Sequence, residues 1–317
     1  MILDNIVNEI NNATDIVILT HETPDGDAIG SSLALYGALK GIGKNVDVVI
    51  PEFPEVFNFL PWSEEIKKEG KKEKYSLAIA LDCSDIKRLN GFAEYFENAS
   101  TKIVIDHHGS NTMFGDYNFV NPDSPAACQI LVTVLEYIGI EINKGIGTCI
   151  ATGIITDTGG FRYSTVKPET FEFIANLLNI GVNISSIYRR VLQINTRKQF
   201  EIKKIAVSRL EFLEDNKIAF TYITQEDQEL LQLGIGDHEG IVEFGRDVEG
   251  VEVSIFLRET EDGSYKASFR SNDYVNVADI CLMFGGGGHV KAAGCTVNLP
   301  LEQAKEKLIS QTKLYLK

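Results

Sequence analysis

Short apolar runs separated by amphipathic stretches set the plan of this chain. Ile2, Leu3, Ile6, Val7 and Ile10 recur at helical spacing, so residues 2–10 are expected to form an amphipathic helix. Residues 16–20, Ile-Val-Ile-Leu-Thr, are almost wholly apolar without alternation, as in a strand buried on both faces. A helix is expected from Gly30 to about Leu39, closed by Gly41 and Gly43, with a strand over 45–50 after it. Two further apolar runs, 77–81 and 102–105, lead into Asp82 and Asp106. Helical patterns cover about 125–138, 144–156 and 168–180. Strands alternating with helices predict a parallel α/β sheet.

The pattern changes in the second half. Residues 181–205 are polar and rich in Arg and Lys, and read as helical. Strands are expected over 217–223, 251–257 and 265–270, and helices over 224–232, 276–284 and 300–316. The expected architecture is α/β: a larger domain over 1–185 with a parallel sheet flanked by helices, a helical linker over 186–205, and a smaller mixed α/β domain over 206–317.

Composition narrows the class. A chain of 317 residues, 44% hydrophobic and 24% charged, can fill two globular cores. No apolar run is long enough to span a bilayer, so no membrane partner is expected. Asp4 and Glu9 precede the first basic residue, Lys40, which is not the pattern of a secretory or organellar leader; a cytoplasmic location is expected. Cys83, Cys128, Cys149, Cys281 and Cys295 are widely spaced with no CxxC pair, and are expected to be buried, reduced thiols. A net charge of -15 argues against coating long duplex DNA or RNA. Short nucleotides stay open, because bound cations would invert the local field.

The candidate chemistry lies at the ends of the predicted strands. His21 opens a cluster that includes Asp25-Gly26-Asp27, Asp82 ends the 77–81 run, and Asp106-His107-His108 ends the next. Asp157 follows the 144–156 helix. In an open α/β sheet the carboxyl ends of the strands share one ligand-binding edge. Carboxylates and imidazoles gathered there suit two divalent cations, which activate water and clamp the attacking and leaving oxygens. Each piece alone has a plain structural reading: a polar turn, a cap, a surface His pair. In the second domain Gly285-Gly286-Gly287-Gly288-His289 is read as a loop that exposes backbone N–H groups, opens a helix and holds an anion, with Arg270 nearby. Arg162 is placed to balance a phosphate or the acids, and His238 reads as a surface residue.

Taken in order, His21-x-x-Pro24-Asp25-Gly26-Asp27, Asp82, Asp106-His107-His108 and Asp157 resemble the motifs of the DHH phosphoesterase superfamily. Gly285–His289 is similar to the glycine-histidine motif of its C-terminal associated domain, and the length resembles the nanoRNase/pAp phosphatase subgroup. The resemblance implies that His21, Asp25 and Asp82 hold one manganese, and that Asp27, Asp82, His107 and Asp157 hold another, with Asp82 bridging. It implies that His108 contacts the scissile phosphate, with Asp82 and His108 as the catalytic pair. Gly286, Gly287, Gly288, His289, Arg270 and Ser271 would hold the remaining nucleotide. The implied function is manganese-dependent hydrolysis of short single-stranded oligoribonucleotides to mononucleotides, and removal of the 3′-phosphate of pAp, by two-metal-activated hydroxide attack on phosphorus. A homodimer is compatible with this reading. Competing readings are hydrolysis of cyclic dinucleotides or linear pApA, and a nucleotide sensor without turnover.

Overall fold

A computed structural model describes residues 2–234 and 236–317. The chain divides into two compact units, Met1–Ile194 and Asn195–Lys317. The stretch expected as a linker is shared between them. Ile187 packs into the first unit's core, while Ile202 and Ala206 pack into the second unit.

The first unit is a six-stranded parallel sheet with helices around it. Its strands are β1 (Ile16–Leu19), β2 (Val46–Val49), β3 (Ile66–Lys67), β4 (Leu77–Leu81), β5 (Thr101–Asp106) and β6 (Tyr117–Val120). The order is β3-β2-β1-β4-β5-β6, and every pair is parallel. Strands β1 and β4 are buried throughout, as their unbroken apolar sequences require. The helices are α1 (Ile2–Asn12), α2 (Gly26–Gly41), α3 (Ala93–Asn98), α4 (Ala127–Ile138), α5 (Lys144–Asp157), α6 (Pro168–Asn179) and α7 (Ile184–Tyr188). Helix α2 begins four residues before the expected Gly30, because the Asp25 carboxylate caps it by accepting from the Asp27 and Ala28 N–H groups. It is buried from Gly26 to Leu39. Residues of both unbroken strands and of α2, α4 and α5 meet in one core, where each buried Ile or Leu contributes about 1.5–3 kcal/mol.

The second unit is a mixed six-stranded sheet. Its elements are α8 (Arg197–Ser208), β7 (Glu211–Leu213), β8 (Ile218–Ile223), α9 (Gln225–Leu231), α10 (Ile241–Arg246), β9 (Val253–Glu259), β10 (Tyr265–Ser271), α11 (Val277–Leu282), β11 (Gly287–His289), β12 (Ala292–Val297) and α12 (Leu301–Lys313). The sheet order is β11-β12-β10-β9-β8-β7, with only β8 and β9 parallel. Its core joins Ala267 and Phe269 of β10 to Ile280 of α11 and Leu308 of α12. All five cysteines are free and buried. Among the described residues no helix is long and apolar enough to cross a membrane.

Candidate metal centre

The order of the parallel sheet reverses between β1 and β4, the place where open α/β sheets leave a crevice at the carboxyl ends of their strands. His21 and Asp82 lie just past those two strands. Their Nε2 and Oδ2 are 3.6 Å apart and both residues are buried. Asp82 has a left-handed backbone, φ 50°. Such a conformation in a residue with a Cβ costs on the order of 1–3 kcal/mol and gathers at functional sites.

Asp25 caps α2 through Oδ1, at 3.0 and 3.1 Å from the amides of Asp27 and Ala28. Asp27, one step into the helix, is fully buried. Its Oδ2 accepts from Ala127 N–H at 2.5 Å and its Oδ1 from Cys128 N–H at 2.9 Å, at the start of α4. A carboxylate there is favoured by the positive end of that helix. Helix α5 approaches closely because residue 153 is glycine. A Cβ there would lie 2.3 Å from Cys128 Sγ and 2.5 Å from Asp27 Oδ1. Helix α5 then ends on Asp157.

His107 joins these carboxylates. Its Nδ1 faces the Ser124 carbonyl at 3.3 Å, so Nε2 is presented to Asp157 Oδ2 at 3.3 Å, Asp82 Oδ1 at 3.4 Å and Asp27 Oδ2 at 4.0 Å. His108 is held differently, with Nδ1 2.8 Å from Asp106 Oδ1. Asp106 is fully buried, and its other oxygen accepts from Asn111 Nδ2 at 2.6 Å. The same Nδ2 is 3.1 Å from the Cys83 carbonyl. Asp106 thus orients His108 rather than facing the other acids.

The candidate ligand atoms form interlocking groups. Those of His21, Asp25 and Asp82 lie within 4.8 Å of one another, as do those of Asp27, His107 and Asp157. Asp82, His107 and His108 make a third such group. Among the described residues no Lys or Arg pairs with Asp25, Asp27, Asp82 or Asp157. Burial, with the charge of Asp82 behind it, pushes Asp27 up to about 7. Burial and Asp27 push Asp157 well above the usual carboxylate range. Burial also works against ionised Asp82, but pairing with His107 and His21 prevails and holds it well below that range. Burial opposes charge on His107, yet Asp82 and the other acids raise it to about 11. In this cluster protons supply the positive charge that cations would bring. Among the described residues, buried His21 Nδ1 has no hydrogen-bond partner, and buried Asp82 Oδ1 has only the long ionic contacts to His107 and His108. Carboxylates crowded without Lys or Arg, alongside an imidazole nitrogen and a carboxylate oxygen that make no hydrogen bond, fit divalent cations.

The remaining candidates lie elsewhere. Arg162 is exposed and donates from Nε to the Gly159 carbonyl at 2.8 Å. In the second unit, Arg270 Nε is 3.1 Å from Glu243 Oε1, and the buried Ser271 hydroxyl donates to the Val275 carbonyl at 2.7 Å. The glycine run does not open a helix. The amides of Gly285 and Gly286 donate back to Leu282 and Cys281, ending α11, and the chain then extends as β11. Gly286 has no room for a side chain, since a Cβ would meet the Gly294 carbonyl at 2.1 Å. His289 sits exposed on β11, and strand register sets it in one row with Ala292 and Arg270. His238, expected at the surface, is half-buried. Burial first, and then the charges of Arg258 and Lys266, lower it to about 4.

Four supporting residues escape the sequence reading. Ser124, Ala127 and Cys128 act through backbone atoms, which no side-chain pattern reveals. The apolar look of Ser124–Cys128 hides their contact with His107 and Asp27. Asn111 shows only as an amide five residues beyond Asp106.

Comparison with known proteins adds family evidence. Residues 15–154 match the model of the DHH family, N-terminal domain, and residues 236–317 match the DHHA1 domain. The chain is 36% identical to the "Bifunctional oligoribonuclease and PAP phosphatase NrnA" of Thermus thermophilus, over 97% of this chain and 93% of that protein. It is 24% identical to the "Cyclic-di-AMP phosphodiesterase PdeA" of Listeria monocytogenes, over 97% of this chain but 49% of that protein. A crystal structure of an exopolyphosphatase-related protein from Bacteroides fragilis superposes with a TM-score of 0.91 at 29% identity, covering 99% of this chain and 96% of that one.

Proposed function

The chain belongs to the DHH family and is a hydrolase acting on phosphoester bonds; from that premise we propose that it is a manganese-dependent enzyme that degrades short oligoribonucleotides to mononucleotides and removes the 3′-phosphate of pAp. The observation that carries this reading is the near full-length likeness to the Thermus oligoribonuclease and PAP phosphatase, with every implied ligand position filled. His21, Asp25 and Asp82 would hold one cation, and Asp27, Asp82, His107 and Asp157 the other. When bound, two divalent cations acidify a water for attack at phosphorus and neutralise the attacking and leaving oxygens.

The chain's own groups do the rest. The Ser124 carbonyl faces Nδ1 of His107, so that Nε2 would be the nitrogen that holds the cation. Asp106 holds Nδ1 of His108, leaving Nε2 to meet the scissile phosphate and carry a proton toward the leaving oxygen. Arg270, Ser271 and the Gly286-Gly287-Gly288-His289 segment would hold the rest of the nucleotide. Imidazole in the donor set favours manganese over magnesium. A short single strand suits a chain of charge -15 better than long duplex DNA does. The likeness to the Listeria phosphodiesterase favours one second reading, hydrolysis of cyclic dinucleotides or linear pApA on the same centre.

Calorimetric titration of the full chain tests the metal part. Asp27, raised to about 7, holds a proton below that pH, which a cation must displace. Above it, the carboxylate is a buried anion. Its raised folded-state value then counts against the folded protein, and a cation relieves that cost. Two equivalents of manganese are expected to bind, with a larger rise in Tm at about pH 8 than at about pH 5.5. One equivalent, or a gain independent of pH, contradicts the assignment.

A further inference from the structure

The second unit carries a cationic pair that the proposed nucleotide-holding residues do not include. Alternate residues of β10 face opposite sides of the sheet. Ala267 and Phe269 enter the core, so Lys266, Ser268 and Arg270 face the other way. Register sets Arg258 of β9 directly across from Lys266, and Gly294 of β12 across from Ser268. Like charges opposite each other on one sheet face are destabilising. Even so, among the described residues no carboxylate forms an ion pair with Arg258 or Lys266. Arg258 makes one long contact, Nη1 to Gln228 Oε1 at 3.4 Å. It is half-buried, and burial lowers its pKa, which leaves its charge poorly solvated. Half-buried His238 lies within electrostatic reach of the pair, and burial, then these two cations, lower it to about 4. Two cations with no carboxylate partner among the described residues, in a chain of charge -15, suit a phosphate.

The position along the strand defines the ligand. Lys266 and Arg270 are four residues apart on β10, about 13 Å. That is further than the two phosphates of a single nucleotide reach. Ser268 lies between them, with Phe256 of β9 on one side and Gly294 of β12 on the other, so the floor is low on the β12 side, where a strand can pass. We propose that Arg258 and Lys266 form a second phosphate subsite, so that this unit grips an oligonucleotide longer than one residue along β10. The inference rests on the oligoribonucleotide reading above, and it makes these two residues determinants of substrate length.

Binding of a fluorescein-labelled, 5′-phosphorylated RNA tetramer to the EDTA-treated full-length protein tests it. For Arg258→Ala/Lys266→Ala, Kd is expected to rise about tenfold or more, and the slope of log Kd against log salt to fall by about 1.4, the equivalent of two phosphate contacts to a single strand. Lys266→Glu, at an exposed position, is expected to weaken the tetramer in the same direction and guards against misfolding of the double variant. Wild-type protein that fails to bind the tetramer, or variants with unchanged Kd and slope, overturn the subsite. Turnover reports separately. Tetramer bound through this pair but never cleaved sustains the subsite and refutes the proposed activity; cleavage with unchanged Kd does the reverse.

Discussion

Asp82→Asn is expected to abolish turnover, by more than about a thousandfold, with the fold intact. Asparagine is the informative replacement because residue 82 has φ 50°, a left-handed conformation that Asn tolerates and alanine does not. The backbone after β4 therefore survives and only the charge is lost. That charge faces all three imidazoles of the cluster, His21 at 3.6 Å, His107 at 3.4 Å and His108 at 3.5 Å, and belongs to two of the three candidate ligand groups. The variant should give an unchanged far-UV circular dichroism spectrum, and metal analysis should find manganese lost at both positions. Turnover close to wild type would mean that Asp82 does not bridge.

His108→Ala separates chemistry from metal binding. Its Nδ1 is occupied by Asp106 at 2.8 Å, and Asp106 is anchored in turn by Asn111. This leaves the imidazole oriented and half-buried at the edge of the cluster, and Nε2 is the ring nitrogen proposed to meet the phosphate. Loss of a positioned proton donor costs about 10²–10⁴ in rate. The expected result is a fall of that size in kcat with manganese content unchanged and KM altered little. Loss of metal with kcat would make His108 a ligand; a change in KM alone would make it only a binding residue.

The parts of this centre differ in how clearly the sequence shows them, for physical reasons. Strands buried on both faces must be unbroken apolar runs, so β1 and β4, and the polar residues that follow them, stand out. Asp106-His107-His108 stands out because charged and imidazole groups rarely follow such a run. The start of α2 is hidden, since Asp25 reads equally well as a turn residue and as a cap. Strand β6 is hidden because Tyr117–Val120 is short and half-buried, with no periodicity to mark it. The glycine run misleads. Exposed amides suggest a helix start, but the hydrogen bonds of Gly285 and Gly286 to the preceding turn end one helix and lead into a strand. The pairing of Arg258 with Lys266 is a matter of register, and register appears only once β9 and β10 are aligned.

The most direct test is turnover of equal concentrations of pAp, a 5′-phosphorylated RNA trimer, pApA and cyclic di-AMP by the full-length protein with manganese. Release of phosphate from pAp and of mononucleotides from the trimer is expected, with cyclic di-AMP left intact. Rapid loss of cyclic di-AMP, or of pApA alone, with pAp and the trimer untouched, would contradict it and reassign the same metal centre to cyclic dinucleotide breakdown.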